Sequence, residues 1–352
     1  MVNTRALVIV CLAAAIVMWP FGFTAAMATE TPQYAITGHI AGTGGSWDYA
    51  MVDGHSGRLY LAQAGVTAVD LKTNVVTTGL VTAKISHGLA LLGDGTVAVD
   101  DSVTKVITVF DGFSGRIVSA IPTAQFNPVS GMHALDALVF EPVTGMLIAV
   151  NGESGLLLLV DVTTSRVAGT ISVGGHPEFA VADGAGKLFI NVNRDKSSEI
   201  AVVDIAARNL KRPMPLHGCD GATGMAYDKA DGLVLTVCDN GFLKVFNVQT
   251  ERLVASIPVG RGADAVMFDS KRRRAFVPSG DSGSLSVIAV RSATDIALVQ
   301  TLTTQPGTRL GAVDIDTGRV YLPSAKFGPP TPPSHYPSVR PGSFEFLVVG
   351  PT

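Results

Sequence analysis

GCDGATGMAYDKADGLVLTVCDNGFLKVFNVQTERLVASIPVG, residues 218–260, shows the repeating unit of this chain most clearly. It contains four short runs of apolar and β-branched residues, and the breaks between them carry Gly, Asp or Asn. Both features are typical of strands joined by tight turns. The predicted strands are 222–228, 232–238, 242–248 and 252–258. Because one four-stranded sheet cannot bury both of its faces, the stretch predicts similar sheets packed on either side.

Copies of the second strand recur along the chain. The run GLVLTV at 232–237 has counterparts in GRLYLA at 57–62, GTVAVD at 95–100, GMLIAV at 145–150, GKLFIN at 186–191, RRAFVP at 273–278 and GRVYLP at 318–323. Successive copies start 38 to 50 residues apart, and such a period with four strands per repeat is typical of a propeller blade. We therefore predict an all-β fold, a seven-bladed β-propeller of four-stranded blades.

The outermost strand of the last blade is missing at the end of the chain, where only six copies of the fourth strand follow in order. The segment YAITGHIAGTG at 34–44 is similar to RLVASIPVGRG at 252–262 and leads into the first blade. We expect this N-terminal strand to complete the last blade, because ring closure of that kind removes exposed sheet edges.

The runs IAVVDI, RLVASIPVG and GLVLTV resemble the YVTN family of β-propeller repeats, over essentially all of residues 32–350. The resemblance implies a propeller found in exported and surface proteins. It is informative about fold rather than function, because binding, surface-layer and enzyme-associated propellers all occur in that family. The chain has no C-x-x-C-H motif for haem attachment, so a fusion of propeller and cytochrome is not supported.

Residues 1–28 have the three parts of a secretory signal peptide. Arg5 supplies the positive start, an apolar segment follows, and Ala26-Met27-Ala28 forms a small-x-small cleavage site. The alternative is an uncleaved membrane anchor over residues 6–23, but the cleavage site favours removal. We expect an exported protein, periplasmic or secreted, with no stable membrane span after cleavage and a single propeller domain over residues 29–352.

The charge balance excludes some partners. The chain has 26 basic and 29 acidic side chains, a net charge of −3, and removal of Arg5 with the signal makes it −4. Such a surface does not attract nucleic acid, and we expect a monomer whose partner is a small molecule or a protein. The basic run 271–274 falls in a turn between strands, where a solvated hairpin tip is expected and a phosphate-binding patch is the alternative.

Cys219 and Cys238 are the two cysteines outside the signal segment. Export permits a disulfide between them. Cys219 precedes the first strand of its hairpin and Cys238 ends the second, so antiparallel pairing brings both to the same end of the sheet. We predict a disulfide, and two free buried thiols are the alternative.

The loops entering the inner strands share one face of a propeller with those between second and third strands, and function usually resides on such loops. The candidate ligand-binding residues on that face are Trp47, Asp48, His87, His133, Asp136, His176, Glu178, Asp264, Arg309 and Lys326. The basic members among them either clamp an anionic ligand or form ordinary salt bridges.

His87, His133 and His176 begin the inner strands of three consecutive blades. If the three imidazoles converge they form a site for Zn²⁺ or another divalent metal, which would activate water or polarise a carbonyl. The alternative is structural, since histidines at strand starts also satisfy loop backbone groups and the chain has no H-E-x-x-H spacing.

The last blade carries an insertion over residues 326–341 with six prolines. We expect it to be stiff and extended. It either covers the channel mouth, presenting Phe327, His335, Tyr336 and Arg340, or is a spacer before the closing strand.

Three functional hypotheses follow. The first is a non-catalytic binding or scaffolding propeller, because no complete catalytic motif occurs in the chain. The second is a metal-assisted hydrolase or lyase, acting for example on lactones. The third, which rests on the family resemblance alone, is a propeller partner of a redox enzyme.

Overall fold

The computed structural model describes Met1 and residues 33–127, 131, 133–330 and 337–352. The predicted signal peptide, His335 and Tyr336 lie outside these ranges. Among the described residues, no helix is long and apolar enough to cross a membrane. The described chain forms strands and turns only, so the all-β prediction is confirmed.

Seven antiparallel four-stranded blades follow one another along the chain. An N-terminal strand, β1 (Tyr34–Ala41), precedes them. Blade one is β2 (Ala50–Asp53), β3 (Arg58–Gln63), β4 (Gly65–Asp70) and β5 (Val76–Thr82). Blade two is β6 (Leu89–Leu91), β7 (Thr96–Asp101), β8 (Val106–Asp111) and β9 (Ile117–Pro122). Blade three is β10 (Leu138–Glu141), β11 (Met146–Asn151), β12 (Leu156–Asp161) and β13 (Arg166–Ser172).

The outer strand of blade four is interrupted at Pro213, which has no N–H to donate to the sheet. Blade four is β14 (His176–Ala182), β15 (Lys187–Arg194), β16 (Ser197–Asp204) and the two short pieces β17 (Asn209–Leu210) and β18 (Met214–Pro215). Blade five is β19 (Ala222–Asp228), β20 (Leu233–Cys238), β21 (Phe242–Asn247) and β22 (Arg252–Pro258). Blade six is β23 (Met267–Asp269), β24 (Arg274–Ser279), β25 (Ser284–Ser292) and β26 (Asp295–Thr303).

Blade seven contains both ends of the propeller. It is built from β27 (Ala312–Asp314), β28 (Arg319–Ser324), the closing strand β31 (Glu345–Pro351) and β1, in the order β27, β28, β31, β1. The antiparallel register of the last two strands runs from Tyr34 opposite Pro351 to Ala41 opposite Glu345. The predicted closure by the N-terminal strand is confirmed. The insertion forms a separate hairpin, β29 (Phe327–Pro330) and β30 (Pro337–Val339).

The inner strands contact each other in sequence around the ring, and β2 of blade one contacts β27 of blade seven. Each interface between consecutive blades holds one apolar cluster of the described residues. The second strands are buried on both faces, as in β20, where all six residues are buried. This explains why they read as continuous apolar runs in the sequence.

Blade five carries the predicted disulfide. Cys219 and Cys238 are bonded, with Cα atoms 5.3 Å apart, and close a loop with a sequence separation of 19. Both cysteines are buried in the cluster between blades four and five, so the covalent link stabilises the start of the inner strand against its neighbour.

The basic run 271–274 is not the solvated tip that its sequence suggests. Arg273 pairs with Asp228 and Asp231 of blade five, and Lys271 pairs with Asp316 of blade seven. The run therefore joins three blades through ion pairs. The prediction failed because the carboxylates lie 42 to 45 residues away in sequence, on the turns of neighbouring blades.

Carboxylates that end the inner strands hold the turns that follow. Asp53 accepts a hydrogen bond from the His55 backbone N–H at 3.0 Å, and Glu141 accepts one from Thr144 at 2.7 Å. The same role is shared by Asp183, Asp228, Asp269 and Asp314. Since they cap turns in this way, these acids are structural and lie away from the candidate site.

Candidate functional site

Each blade contributes one residue at an equivalent inner-strand position to the entrance of the channel. In six blades this residue lies five before the turn-capping acid in the sequence. In blade two the position is assigned from backbone hydrogen bonds. The Gly88 carbonyl accepts a bond from the second strand of its blade, as the Tyr49 and Ala137 carbonyls do in theirs. The residue before each of these is therefore equivalent, which places His87 with Asp48 and Asp136. The seven residues, called here the mouth ring, are Asp48, His87, Asp136, Glu178, Thr223, Asp264 and Arg309. Six of the seven are titratable or charged, in a position that a purely structural propeller would not need to make polar.

His87 is the most constrained member of the ring. Its side chain is 8% exposed, and its Nδ1 lies 2.6 Å from Asp48 Oδ2. Burial opposes the positive charge, but the hydrogen bond to Asp48 and the Asp48 charge outweigh it and raise the pKa of His87 to about 9. The Nε2 atom is buried and has no hydrogen-bond partner among the described residues. The Asp48 contact therefore fixes the ring while one nitrogen remains unsatisfied.

His133 stands beside His87, with ring centroids 5.2 Å apart. Its Nδ1 is 3.5 Å from Asp136 Oδ2, and its side chain is 51% exposed whereas that of Asp136 is 6% exposed. This contact with Asp136 raises the pKa of His133. One ligand atom each from His87, His133 and Asp136 lies within 4.8 Å of the other two, so these three side chains form the group in the described chain that could hold a metal.

His176 is not part of that group. It is the first residue of β14, and its Nδ1 faces the Gly152 carbonyl oxygen at 3.3 Å. It lies seven residues before its turn-capping acid, whereas His133 lies eight before Glu141. His133 lies in a turn before β10, whereas His176 is in the extended strand β14, so the two side chains do not occupy equivalent positions. The structure thus brings two of the three predicted histidines together and adds Asp136.

The remaining ring carboxyls are crowded. Burial, followed by the charges of Asp136 and Asp264, raises the pKa of Glu178 to about 8. Burial also raises the pKa of Asp264 to about 6, although Arg309 lowers it with its Nε 3.2 Å from Asp264 Oδ2. Behind the ring, burial raises the pKa of Asp100 to about 8 while it accepts hydrogen bonds from the backbone of His87. The mouth thus holds more carboxyl groups than its cations neutralise.

Two aromatic residues close the mouth from below, and the sequence reasoning missed both. Tyr49 of blade one and Phe179 of blade four contact each other across the channel, with centroids 4.8 Å apart. Burial and the surrounding carboxylates raise the pKa of Tyr49 well above its ordinary value. The signal was in the sequence, because the equivalent positions of blades three, five and six hold small residues, Ala137, Gly224 and Ala265.

Beneath this aromatic pair the channel continues as a cavity of about 630 Å³ lined mainly by apolar residues of the inner strands. It extends from Tyr49, Phe179 and Asp264 to Asp183 and Lys229 at the opposite turns. The site is thus a polar cup with an aromatic floor, above an apolar channel.

Two predicted site residues lie elsewhere. Trp47 packs edge-on against Phe344 at 5.0 Å and tilts against Phe327 at 6.0 Å, where it anchors the base of the insertion. Lys326 is exposed, and within the described ranges it forms no ion pair. Arg340 donates from Nε to the Phe327 carbonyl at 3.1 Å, which ties the two sides of the insertion together, and the contact of Phe327 with Trp47 joins it to the entry of blade one.

Comparisons with known proteins agree with this fold. No protein-family model matches the chain, and no curated protein matches it. Among solved structures, a chain of Kuenenia stuttgartiensis hydrazine synthase superposes with a TM-score of 0.65 at 13% identity, covering 82% of this chain and 96% of that one. A chain from a mitotic checkpoint complex superposes with a TM-score of 0.68 at 12% identity, covering 91% and 96%. The likeness is one of fold alone.

Proposed function

We propose that this propeller is a binding module and that the mouth ring with its aromatic floor is the ligand site. The observation that carries the proposal is the ring itself, because seven blades place polar or charged side chains at one equivalent position around a single recess. Buried polar groups without full partners destabilise a fold, so such a concentration is typical of a functional site.

The charges of the recess indicate the kind of ligand. The four carboxyl groups of the ring, Asp48, Asp136, Glu178 and Asp264, outnumber its two basic groups, Arg309 and the charged His87. An aromatic pair lies below them, and a cation bound beside Glu178 would favour loss of its proton. Carboxylates bind ammonium and guanidinium groups through charge-assisted hydrogen bonds, and aromatic faces attract the same cations. We therefore expect a ligand that carries a positive charge.

A thermal-shift screen tests this function. A panel of amines, guanidines and size-matched carboxylates is added to the protein in a buffer that contains EDTA, so that metal does not contribute. Cationic compounds should raise the melting temperature of the wild type and not that of Glu178→Gln/Asp264→Asn. The control is Glu251→Gln, which removes an exposed carboxylate just before β22 and should respond like the wild type. Binding that survives the double substitution would reject the mouth ring as the site.

A second candidate, metal-assisted hydrolysis or lyase chemistry on a lactone-like substrate, is favoured by one observation, the grouping of His87, His133 and Asp136. It requires a metal-dependent reaction. Hydrolysis of dihydrocoumarin that depends on added Zn²⁺, Co²⁺ or Mn²⁺ and is lost in His133→Ala would support it. Equal rates with and without metal would reject it.

We also propose that the chain acts as a monomer and that it is exported, export being what its YVTN-like repeats and N-terminal segment suggest. The disulfide supports this, because such bonds persist in oxidising compartments. The propeller fold, which a chain of the mitotic checkpoint complex shares, is compatible with a scaffolding form of the binding role. Cell fractionation, and N-terminal sequencing for cleavage after Ala28, test the export.

A further inference from the structure

We propose that His87, His133 and Asp136 bind one divalent transition-metal ion, and that Asp48 positions His87 as a ligand. The inference rests on the proposed role of the mouth as a binding site and names a ligand for part of it. Its first support is the convergence of one donor atom from each of the three side chains within 4.8 Å. Donor atoms around tetrahedral Zn²⁺ lie roughly 3.3 Å apart. The longest distance between these donor atoms therefore has to shorten by roughly 1.5 Å for all three to bind one ion.

The second and independent support is the unsatisfied nitrogen of His87. Its Nδ1 is held at 2.6 Å by Asp48. In the neutral ring this contact keeps the proton on Nδ1 and the lone pair on Nε2, so a metal ion would take the place of the Nε2 proton that the charged ring carries. Nε2 is buried and has no partner in the described chain. A carboxylate that holds one imidazole nitrogen while the other binds metal is a recurrent arrangement in metal sites. In the Asp48–His87 pair the carboxylate already holds one imidazole nitrogen, and the other nitrogen is available for a metal ion.

Asp136 supplies a buried carboxylate to the site, and His133 supplies an exposed imidazole. The Asp136 side chain is 6% exposed, and its carboxylate accepts no hydrogen bond within the described ranges. Its nearest cationic partner is His133 Nδ1 at 3.5 Å. His133 is half exposed, so it can shift toward a metal and leave the fourth position facing solvent. Three protein ligands with one open position are typical of accessible zinc sites.

The donor types decide the class of metal. Two imidazoles and one carboxylate suit Zn²⁺, Co²⁺ or Ni²⁺, whereas Ca²⁺ and Mg²⁺ prefer sites built from oxygen. We therefore expect Zn²⁺ and Co²⁺ to bind and Ca²⁺ or Mg²⁺ not to compete at millimolar concentration.

Isothermal titration of tag-free, chelator-stripped protein with ZnCl₂ tests the site. We expect one Zn²⁺ per chain and a visible spectrum of tetrahedral type when Co²⁺ replaces it. His133→Ala is the principal variant because its exposed side chain is not needed for packing, and it should weaken Zn²⁺ binding more than 100-fold. Asp48→Asn should weaken binding about 10- to 100-fold, as second-layer changes do.

His176→Ala is the matched control, since it removes a neighbouring imidazole outside the group and should leave Zn²⁺ affinity unchanged. A stoichiometry of zero, or Zn²⁺ binding that His133→Ala does not weaken, would overturn the proposal. So would a loss in His176→Ala equal to that in His133→Ala. Because the organic-cation screen is run in EDTA, a failure here leaves its result standing, and the two proposals fail separately.

Discussion

Replacing Glu178 by Gln removes one carboxyl from the mouth while it keeps the shape of the side chain, and the effect on stability should depend on pH. Burial and the charges of Asp136 and Asp264 raise the pKa of Glu178 to about 8 from an ordinary value of 4.5. Between these two values the native state retains a proton that the unfolded chain releases. The free energy of unfolding therefore falls as pH rises through this window, and the whole penalty is present above about pH 8.

The size of the effect follows from the shift. One pKa unit corresponds to about 1.4 kcal/mol, so the shift sets a ceiling of about 5 kcal/mol. Glu178 is partly exposed, and water screens its charge, which reduces the expected penalty to about 2 kcal/mol. We expect Glu178→Gln to have little effect at pH 4.5 and to stabilise the protein by about 2 kcal/mol at pH 9.

Urea unfolding followed by circular dichroism at pH 4.5, 7 and 9, in EDTA, measures this difference. Glu251→Gln is the control for removing an acidic group from the surface, and its effect should be within about 0.5 kcal/mol at each pH. A gain of equal size at every pH, or a loss at pH 9, would refute the view that the Glu178 carboxyl is held protonated by its surroundings.

Three further predictions concern the frame around the site. The double substitution Cys219→Ala/Cys238→Ala should lower the free energy of unfolding by about 3 kcal/mol, the loop-entropy value for this separation, and reduced wild type should show the same urea midpoint. Arg273→Met should destabilise by about 3 kcal/mol because it strands a buried carboxylate, and adding Asp228→Asn should recover most of the loss; no recovery would contradict the ion pair. Phe179→Ala should open the mouth to the apolar channel and increase binding of an apolar fluorescent dye, whereas unchanged dye binding would mean that the aromatic pair is not its floor.

The fold could be predicted from the sequence because the buried strands of each blade appear as recurring apolar runs. All seven second strands were located to within one residue, since each begins one residue after the start of its apolar run, for example at Arg58 and Leu233. They were easy to find because both of their faces are buried, which makes each of them a continuous apolar run. The arrangement of side chains at the candidate site was harder to predict from the sequence. His133 lies in a turn before β10 and His176 is the first residue of β14, so their side chains occupy different positions that a count of strand starts treats as equivalent. The contact between Tyr49 and Phe179 depends on how blades face each other across the channel, which the spacing of repeats does not report.

The pairing of β1 with β31 has a consequence for how the chain reaches its native state. Tyr34 and Pro351 are partners in the sheet, so a strand at the beginning of the propeller cannot pair until nearly all of the domain has been made. Contacts of such sequence separation form slowly, and until then the last blade offers an open edge to other chains. Conditions that delay release of the C-terminal residues should therefore favour aggregation through blade seven, even though in the finished ring β1 covers the edge of β31.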